Sequence, residues 1–163
     1  MKIKMLSEAL SAQQKDLEEL LELLERETHD LADVKIEAMV EINGKKEEVG
    51  ARIQAHSAPL RQIIGEAAIS LGLPADSPLG KVAAKLGQKG NKEIPLQHEQ
   101  LNKVAERVQQ VAAMNQEIAE RFAATLNQSL NFLTRVLSQS TVYGASGGYQ
   151  QRPTGAVMIN MEA

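Results

Sequence analysis

The sequence predicts an all-α fold: a long antiparallel helical hairpin or bundle of two long helices with kinks, a short connecting helix and a flexible C-terminal tail. Two long stretches place apolar residues at steps of three and four, the spacing of one helix face. With only two Phe and two Tyr, Leu, Ile, Val, Ala and Met must build the core, which suits helix-on-helix packing. We therefore expect a helical domain at residues 1–138 and a partner-binding tail at residues 139–163.

The first long helix is predicted to begin within residues 3–7 and to run at least to Thr28. Its apolar stripe is a leucine heptad with further residues at the intermediate steps: Leu6, Leu10, Leu17, Leu20, Leu24, Leu31 and Val34. Around residues 28–34 we expect a kink or short break instead of a hairpin turn, because no Gly or Pro marks a turn. Gly44 and Pro59 are tolerated within the continuing helix, the latter as a further kink.

The connection that follows carries two Gly and two Pro within residues 71–80. Residues 79–86 are predicted to form two turns of helix, with Ser77 as the cap and Pro78 in the first turn. Residues 86–95 are predicted to be loop, and their Gly and Lys lack the spacing of a phosphate-binding loop.

The second long helix is predicted from about Leu96 to Ser138, a rod of roughly 65 Å at 1.5 Å per residue. The connection reverses the chain, so we expect this helix to lie antiparallel to the first. Its stripe is interrupted by Asn115, Thr125 and Ser129. The predicted stripe consists of Leu101, Val104, Val108, Val111, Ile118, Phe122, Phe132 and Val136.

A second apolar row, here called the distal row, lies beside this stripe and consists of Leu126, Leu130, Leu133 and Leu137. Two interpretations remain open: the row widens the core of a bundle, or it forms a stripe that receives a partner helix. Both hold if the partner is a second copy of the chain.

The predicted tail is rich in Ser, Gly, Gln and Thr, with too little apolar content to pack by itself. Tyr143 and Tyr149 are the only tyrosines of the chain. Near the end of the sequence lie Val157, Met158 and Ile159, an apolar run that is unusual for a tail that binds nothing. We therefore expect the tail to become ordered on binding a partner.

Several function classes are disfavoured by the sequence. The net charge of −3 predicts no nucleic-acid interface, and the absence of Cys removes thiolate catalysis and Cys-ligated zinc. No apolar run approaches the roughly 18 residues of a membrane span. His29, His56 and His98 are scattered, and no Ser stands in a nucleophile elbow. We expect a cytoplasmic protein that is not an enzyme and that uses no metal or cofactor.

The Leu/Glu-rich first helix, the ISLGLPADSP turn and the VYGASG segment after the returning helix resemble the FlgN family of flagellar secretion chaperones. The resemblance implies binding of hook-associated (hook–filament junction) proteins through the C-terminal region. It also implies that the chaperone prevents their premature assembly and delivers them to the flagellar type III export gate. Tyr143 would then be a contact to the export apparatus.

The alternative is a structural coiled-coil subunit that self-assembles through its C-terminal helix. The oligomeric state distinguishes the two, because a chaperone should be monomeric or a weak homodimer without its client. The residues predicted to bind partners are Leu126, Leu130, Leu133, Leu137, Tyr143, Val157, Met158 and Ile159.

Overall fold

Four helices and no strand make up the part of the chain that the computed structural model describes, which is the backbone of residues 2–140 and the side chains of residues 3–137. The helices are α1 (Lys2–Ala32), α2 (Ile36–Ser70), α3 (Leu79–Gln88) and α4 (Glu93–Ser140). The predicted all-α class and the short connecting helix are confirmed. The chain divides into two units, Met1–Ala119 and Glu120–Ala163, which are described separately.

Within the first unit, α1 and α2 form an antiparallel hairpin. Lys46 Nζ lies 2.5 Å from Glu27 Oε1, and Arg52 Nε lies 3.2 Å from Asp16 Oδ1. Residue numbers thus rise along α2 as they fall along α1. The expected kink or short break around residues 28–34 is therefore wrong: the chain turns back completely, and three long helices replace the expected two.

The turn between α1 and α2 is a Schellman motif that uses valine where glycine is usual. Val34 has φ 54, in the left-handed region. Its N–H donates to Leu31 O (3.4 Å), and the next N–H, that of Lys35, donates to Asp30 O (3.0 Å). The Lys35 ammonium lies 2.8 Å from Asp33 Oδ2, and through this hydrogen bond and its charge it lowers the pKa of Asp33. The turn carries no Gly or Pro, which is why the sequence did not predict it.

The same motif ends α2 and α3, but with glycine at the left-handed position. Gly72 has φ 73, and the following Leu73 N–H donates to Ala68 O at 2.9 Å. Gly90 has φ 92 and closes α3 in the same way. Asn91 then caps α4, because its Oδ1 accepts the N–H of Ile94 at 3.0 Å.

Within the first unit α4 runs parallel to α1. Near the start of α1, Gln97 Nε2 donates to Ser7 O (3.3 Å); near its end, Asn115 Nδ2 donates to Leu24 O (2.8 Å). The chain reverses its direction twice between α1 and α4. The expected antiparallel relation therefore holds between α2 and α1 and between α2 and α4. The parallel seam of α1 and α4 follows from the additional turn at Val34.

The core of the first unit lies in two clusters of buried apolar side chains. The larger cluster joins all four helices and consists of Leu6, Leu10, Ala67, Ala68, Val82, Ala83, Leu86 and Ile94. The smaller cluster joins α1 and α2 and consists of Leu23, Ile42 and Val49. Of the predicted stripes in this unit, the buried residues are Leu6, Leu10, Leu24 and Val111, and the half-buried ones are Leu17, Leu20, Leu31, Leu101, Val104, Val108 and Ile118. Val34 is exposed, so its place in the stripe is wrong: it lies in the turn that ends α1.

The described part of the second unit is helical as far as Ser140, and each of its described side chains, residues 120–137, is exposed. Phe122 and Phe132, expected in the core stripe, are 44% and 66% exposed. That expectation is wrong, since nothing described covers these rings. The boundary between residues 138 and 139 stays a prediction, and residues 141–163 lie outside the description.

Candidate functional site

The distal row is an exposed apolar stripe on the second unit's helix. Leu126, Leu130, Leu133 and Leu137 are 45–65% exposed. Their steps of four, three and four residues place them within an arc of roughly 60° at 3.6 residues per turn. The predicted row is thus brought together on one helix face.

Three further residues widen this stripe: Phe122, Phe132 and Val136 are also exposed. Together with the distal row they form what we call the apolar face, seven large apolar side chains within sixteen residues. Soluble monomers rarely expose a contiguous apolar patch of more than a few hundred Å², and larger patches usually mark interaction sites. The apolar face therefore has the character of a binding surface.

Hydroxyl groups within the apolar face form hydrogen bonds to their own helix. Thr125 Oγ1 donates to Arg121 O and Ser129 Oγ donates to Thr125 O, each at 3.0 Å. A partner that covers these hydroxyls leaves no donor unsatisfied, so burial here avoids the usual cost of desolvating a polar group. Thr125 and Ser129, which interrupt the apolar stripe in the sequence, thus leave the surface effectively apolar.

The apolar face has few charged neighbours, and Arg121 directly precedes its first residue, Phe122. Between residues 122 and 140 the only charged residue is Arg135, and the opposite side of the helix carries uncharged Asn127, Gln128 and Asn131. Because few charges are available for ion pairs, a partner on this face would be bound mainly through burial of apolar surface and through shape.

The other predicted site residues, Tyr143, Val157, Met158 and Ile159, lie outside the described residues. Their roles therefore stay predictions.

A polar network that the sequence did not predict links the three long helices of the first unit. Asn115, 4% exposed, donates through Nδ2 to Leu24 O and, at 3.0 Å, to Glu27 Oε2. The Thr28 hydroxyl lies 2.6 Å from Asn115 Oδ1, and the other oxygen of Glu27 accepts from Lys46. In the sequence Asn115 is only a gap in an apolar stripe. Nothing there reveals its partners, which are far away along the chain.

A second polar cluster joins α1 and α2. Asp16 is buried, and its carboxylate contacts Arg52 and, at 2.9 Å, His56 Nδ1. Arg52 also pairs with the exposed Glu19. His56 thus has a partner that holds the helices in register, consistent with the expected structural or surface role. Among the described residues, no group of three or more His, Asp or Glu is arranged to hold a metal ion.

The tip of the α1–α2 hairpin is an exposed apolar surface of the first unit. Val34, Ile36 and Val40 are 46–68% exposed, and an open depression of about 420 Å³ is lined by residues 34–38. No pattern in the sequence predicts this surface, because these residues were expected to lie along a continuing helix. It has three exposed large apolar side chains, whereas the apolar face of the second unit has seven.

The structure thus defines an all-α chain with a helical core and a separate, uncharged apolar helix face, the features of a protein-binding helical protein. The family model described as FlgN protein matches residues 1–151, and the chain belongs to the FlgN family, a family of flagellar export chaperones. The comparisons with curated proteins and with solved structures gave no match. None of the described helices combines the length and apolarity needed to cross a membrane.

The family match includes the distal row and Tyr143, but ends before Val157, Met158 and Ile159. The chaperone class therefore bears on the exposed row of α4, whereas the apolar run near the C-terminus is a feature for which the family gives no account.

Proposed function

We propose that the chain is a cytoplasmic export chaperone that binds hook-associated proteins on the apolar face of α4. The bound client is prevented from assembling prematurely and is delivered to the flagellar type III export gate. The observation that carries the proposal is the exposure of all seven apolar side chains of this face in a chain of the FlgN family. The proposal includes no catalytic step and no cofactor.

The chemistry of the face indicates what part of a client it binds. An apolar stripe on a helix is complementary to the apolar face of an amphipathic helix, with anchors at steps of three and four residues. If a client assembles through such a helix, a chaperone that occupies the helix blocks its assembly. Because Arg135 is the only charged residue between residues 122 and 140, the affinity should depend only weakly on salt.

The test is the double substitution Leu130→Ala and Leu133→Ala, with Asn127→Ala and Asn131→Ala as a matched control on the opposite side of the helix. Isothermal calorimetry with purified hook–filament junction proteins should show a large loss of affinity for the first variant only. The melting temperature should change little in either variant, because these side chains are already exposed. Unchanged client affinity in the Leu variant, or loss of its fold with normal affinity in the folded fraction, would refute the proposed site.

Delivery to the export gate is assigned to Tyr143, on the basis of the family resemblance. Tyr143→Ala should leave folding and client affinity unchanged while reducing motility, and Tyr149→Ala is the control for a ring in the same tail. Equal losses of client affinity and motility would contradict a separate delivery role, and normal motility would remove the role of Tyr143 altogether.

The alternative function, a structural subunit that self-assembles through α4, is favoured by the same exposed face. The oligomeric state separates the two. A chaperone should sediment as a monomer or a weak homodimer without its client, and the client should displace any dimer. A tight oligomer that persists in excess client would favour the structural subunit.

A further inference from the structure

The tip of the α1–α2 hairpin carries a contiguous group of exposed apolar side chains, Val34, Ile36 and Val40, which we call the tip patch. Ile36 and Val40 lie four residues apart and therefore on one face of α2. Val34 and Ile36 line the same open depression of about 420 Å³. Single exposed apolar side chains are common on soluble proteins, so a contiguous group is the more informative feature.

The backbone keeps Val34 in the tip patch although its conformation is unfavourable for valine. Val34 has φ 54, where glycine would avoid the steric cost of a Cβ. The side chain recovers little of that cost within the fold, because it is nearly half-exposed. The turn thus presents an apolar side chain to solvent where glycine would serve the turn alone, which is consistent with a surface that a partner covers.

The surroundings of the tip patch are negatively charged. Residues 30–41 contain four carboxylates and one Lys, which gives a net charge of −3, the same as that of the whole chain. A second copy that brought the same tip, or a membrane surface of anionic lipids, would meet charge of its own sign. The charge therefore favours a positively charged partner.

One carboxylate beside the tip patch has no cation of its own. Lys35 holds the pKa of Asp33 below its usual range through a hydrogen bond and its charge, and Lys45 does the same for Glu41. Glu37, by contrast, forms no ion pair with any described residue, and it lines the same depression as the patch. A cationic side chain of a partner can therefore pair with Glu37 without displacing an existing ion pair.

We propose that the tip patch binds a basic, amphipathic helical segment of another protein, and that an Arg or Lys of this segment pairs with Glu37. Long basic side chains suit the depression because their methylene groups cover apolar surface while the charged head stays in water. Arg suits it best, since its planar guanidinium can bind a carboxylate through two hydrogen bonds. Apolar residues one helical turn away on the same segment would cover Ile36 and Val40.

The proposed contact is tested with a model peptide of defined chemistry. The probe is a helical peptide of Leu, Ala and Arg with Leu at steps of three and four, and the control peptide has Glu in place of each Arg. Methyl NMR of the full chain follows Val34, Ile36 and Val40 during the titration. We expect saturable shifts of these signals with the Arg peptide only, and an affinity that falls as salt is added.

Three results of this titration would overturn the proposal. The first is equal binding of the two peptides, because the carboxylates would then play no part. The second is a set of tip-patch signals that do not move while the Arg peptide binds elsewhere or not at all. The third is a shift of these signals without peptide as the protein concentration rises, because a second copy would then cover the patch.

Substitutions assign the contact to its residues. Glu37→Gln should weaken binding of the Arg peptide about two- to fivefold, the range of an exposed ion pair, whereas Glu48→Gln, an exposed carboxylate farther along α2, should leave it unchanged. Ile36→Ser with Val40→Ser should weaken binding about tenfold or more through the lost apolar contact. Circular dichroism should show unchanged helix content, because the replaced side chains are exposed. Wild-type affinity in either tip variant would overturn the proposal.

Val34→Gly provides a variant whose fold is secure, because glycine suits the backbone of the turn. It should weaken binding of the Arg peptide, and wild-type affinity would count against the proposal even if the Ser variant failed to fold. The tip patch lies in the first unit, whereas the proposed client surface lies in the second. Leu130→Ala with Leu133→Ala should therefore leave the shifts of the tip patch unchanged, so the two proposals can fail independently.

Discussion

Replacing Val34 tests whether the α1–α2 turn stores the strain that its backbone indicates. A left-handed conformation costs an L-residue about 1–2 kcal/mol, and glycine avoids this cost. Val34 adopts it at φ 54, and it is nearly half-exposed, so that its side chain gains little burial in return. Within the described chain, Val34 is the one residue other than glycine that has a positive φ.

The magnitude is best isolated by comparing Val34→Gly with Val34→Ala, because both variants lose the same apolar methyl groups. At an unstrained site, glycine is less stable than alanine by about 0.4–1 kcal/mol through the entropy of the unfolded chain. At Val34 the conformational cost of about 1–2 kcal/mol applies to alanine and not to glycine. The Gly variant should therefore be the more stable of the two by about 0.5–1 kcal/mol, a reversal of the usual order.

The assay is urea unfolding of both variants, followed by far-UV circular dichroism. Ala55→Gly, at an exposed position in the middle of α2, is the control and should lower the free energy of unfolding by about 1 kcal/mol. If Val34→Gly is less stable than Val34→Ala by an amount similar to the control, the turn is unstrained and the reasoning fails.

Three further predictions concern the packing of the first unit. Leu24→Ala should cost about 2–5 kcal/mol because Leu24 is buried in the predicted seam; a change below about 0.5 kcal/mol, the usual surface range, would contradict the assignment. Asn115→Ala should cost about 1–3 kcal/mol in urea unfolding, since it leaves the buried Leu24 carbonyl without this donor. Gly65→Ala should lower the melting temperature because the new Cβ would lie 3.0 Å from Ala75 O, whereas Gly50→Ala, which meets no atom within 4 Å, should raise it.

Much of the first unit could be predicted from local sequence signals. The three- and four-residue spacing identified the helical faces, because burial on one side of a helix leaves that period in the chain. Gly72 marked the end of α2, where a left-handed residue closes the helix. These features depend on residues close together in sequence, so a sequence alone contains enough information to place them.

The turn at Val34 and the network at Asn115 could not be predicted for a physical reason. A β-branched residue is disfavoured in the left-handed conformation, so local preference favours a continuing helix at Val34. The tertiary packing of α1 on α2 overrides that preference, as shown by ion pairs such as Glu27–Lys46. The partners of Asn115 likewise come from another helix about ninety residues earlier. Both features depend on contacts that no local pattern encodes.

The exposed face of α4 shows a different limit of prediction from sequence, because its apolar residues have the same spacing as those of a buried stripe. Apolar residues at helical spacing indicate that one face of a helix is covered, but they do not indicate which molecule covers it. The burial of the side chains shows where the core ends: each described side chain from residue 120 to residue 137 is exposed. The surplus apolar period of α4 thus lies at residues 122–137, outside the buried core of the described chain, and its cover by a client stays our proposal.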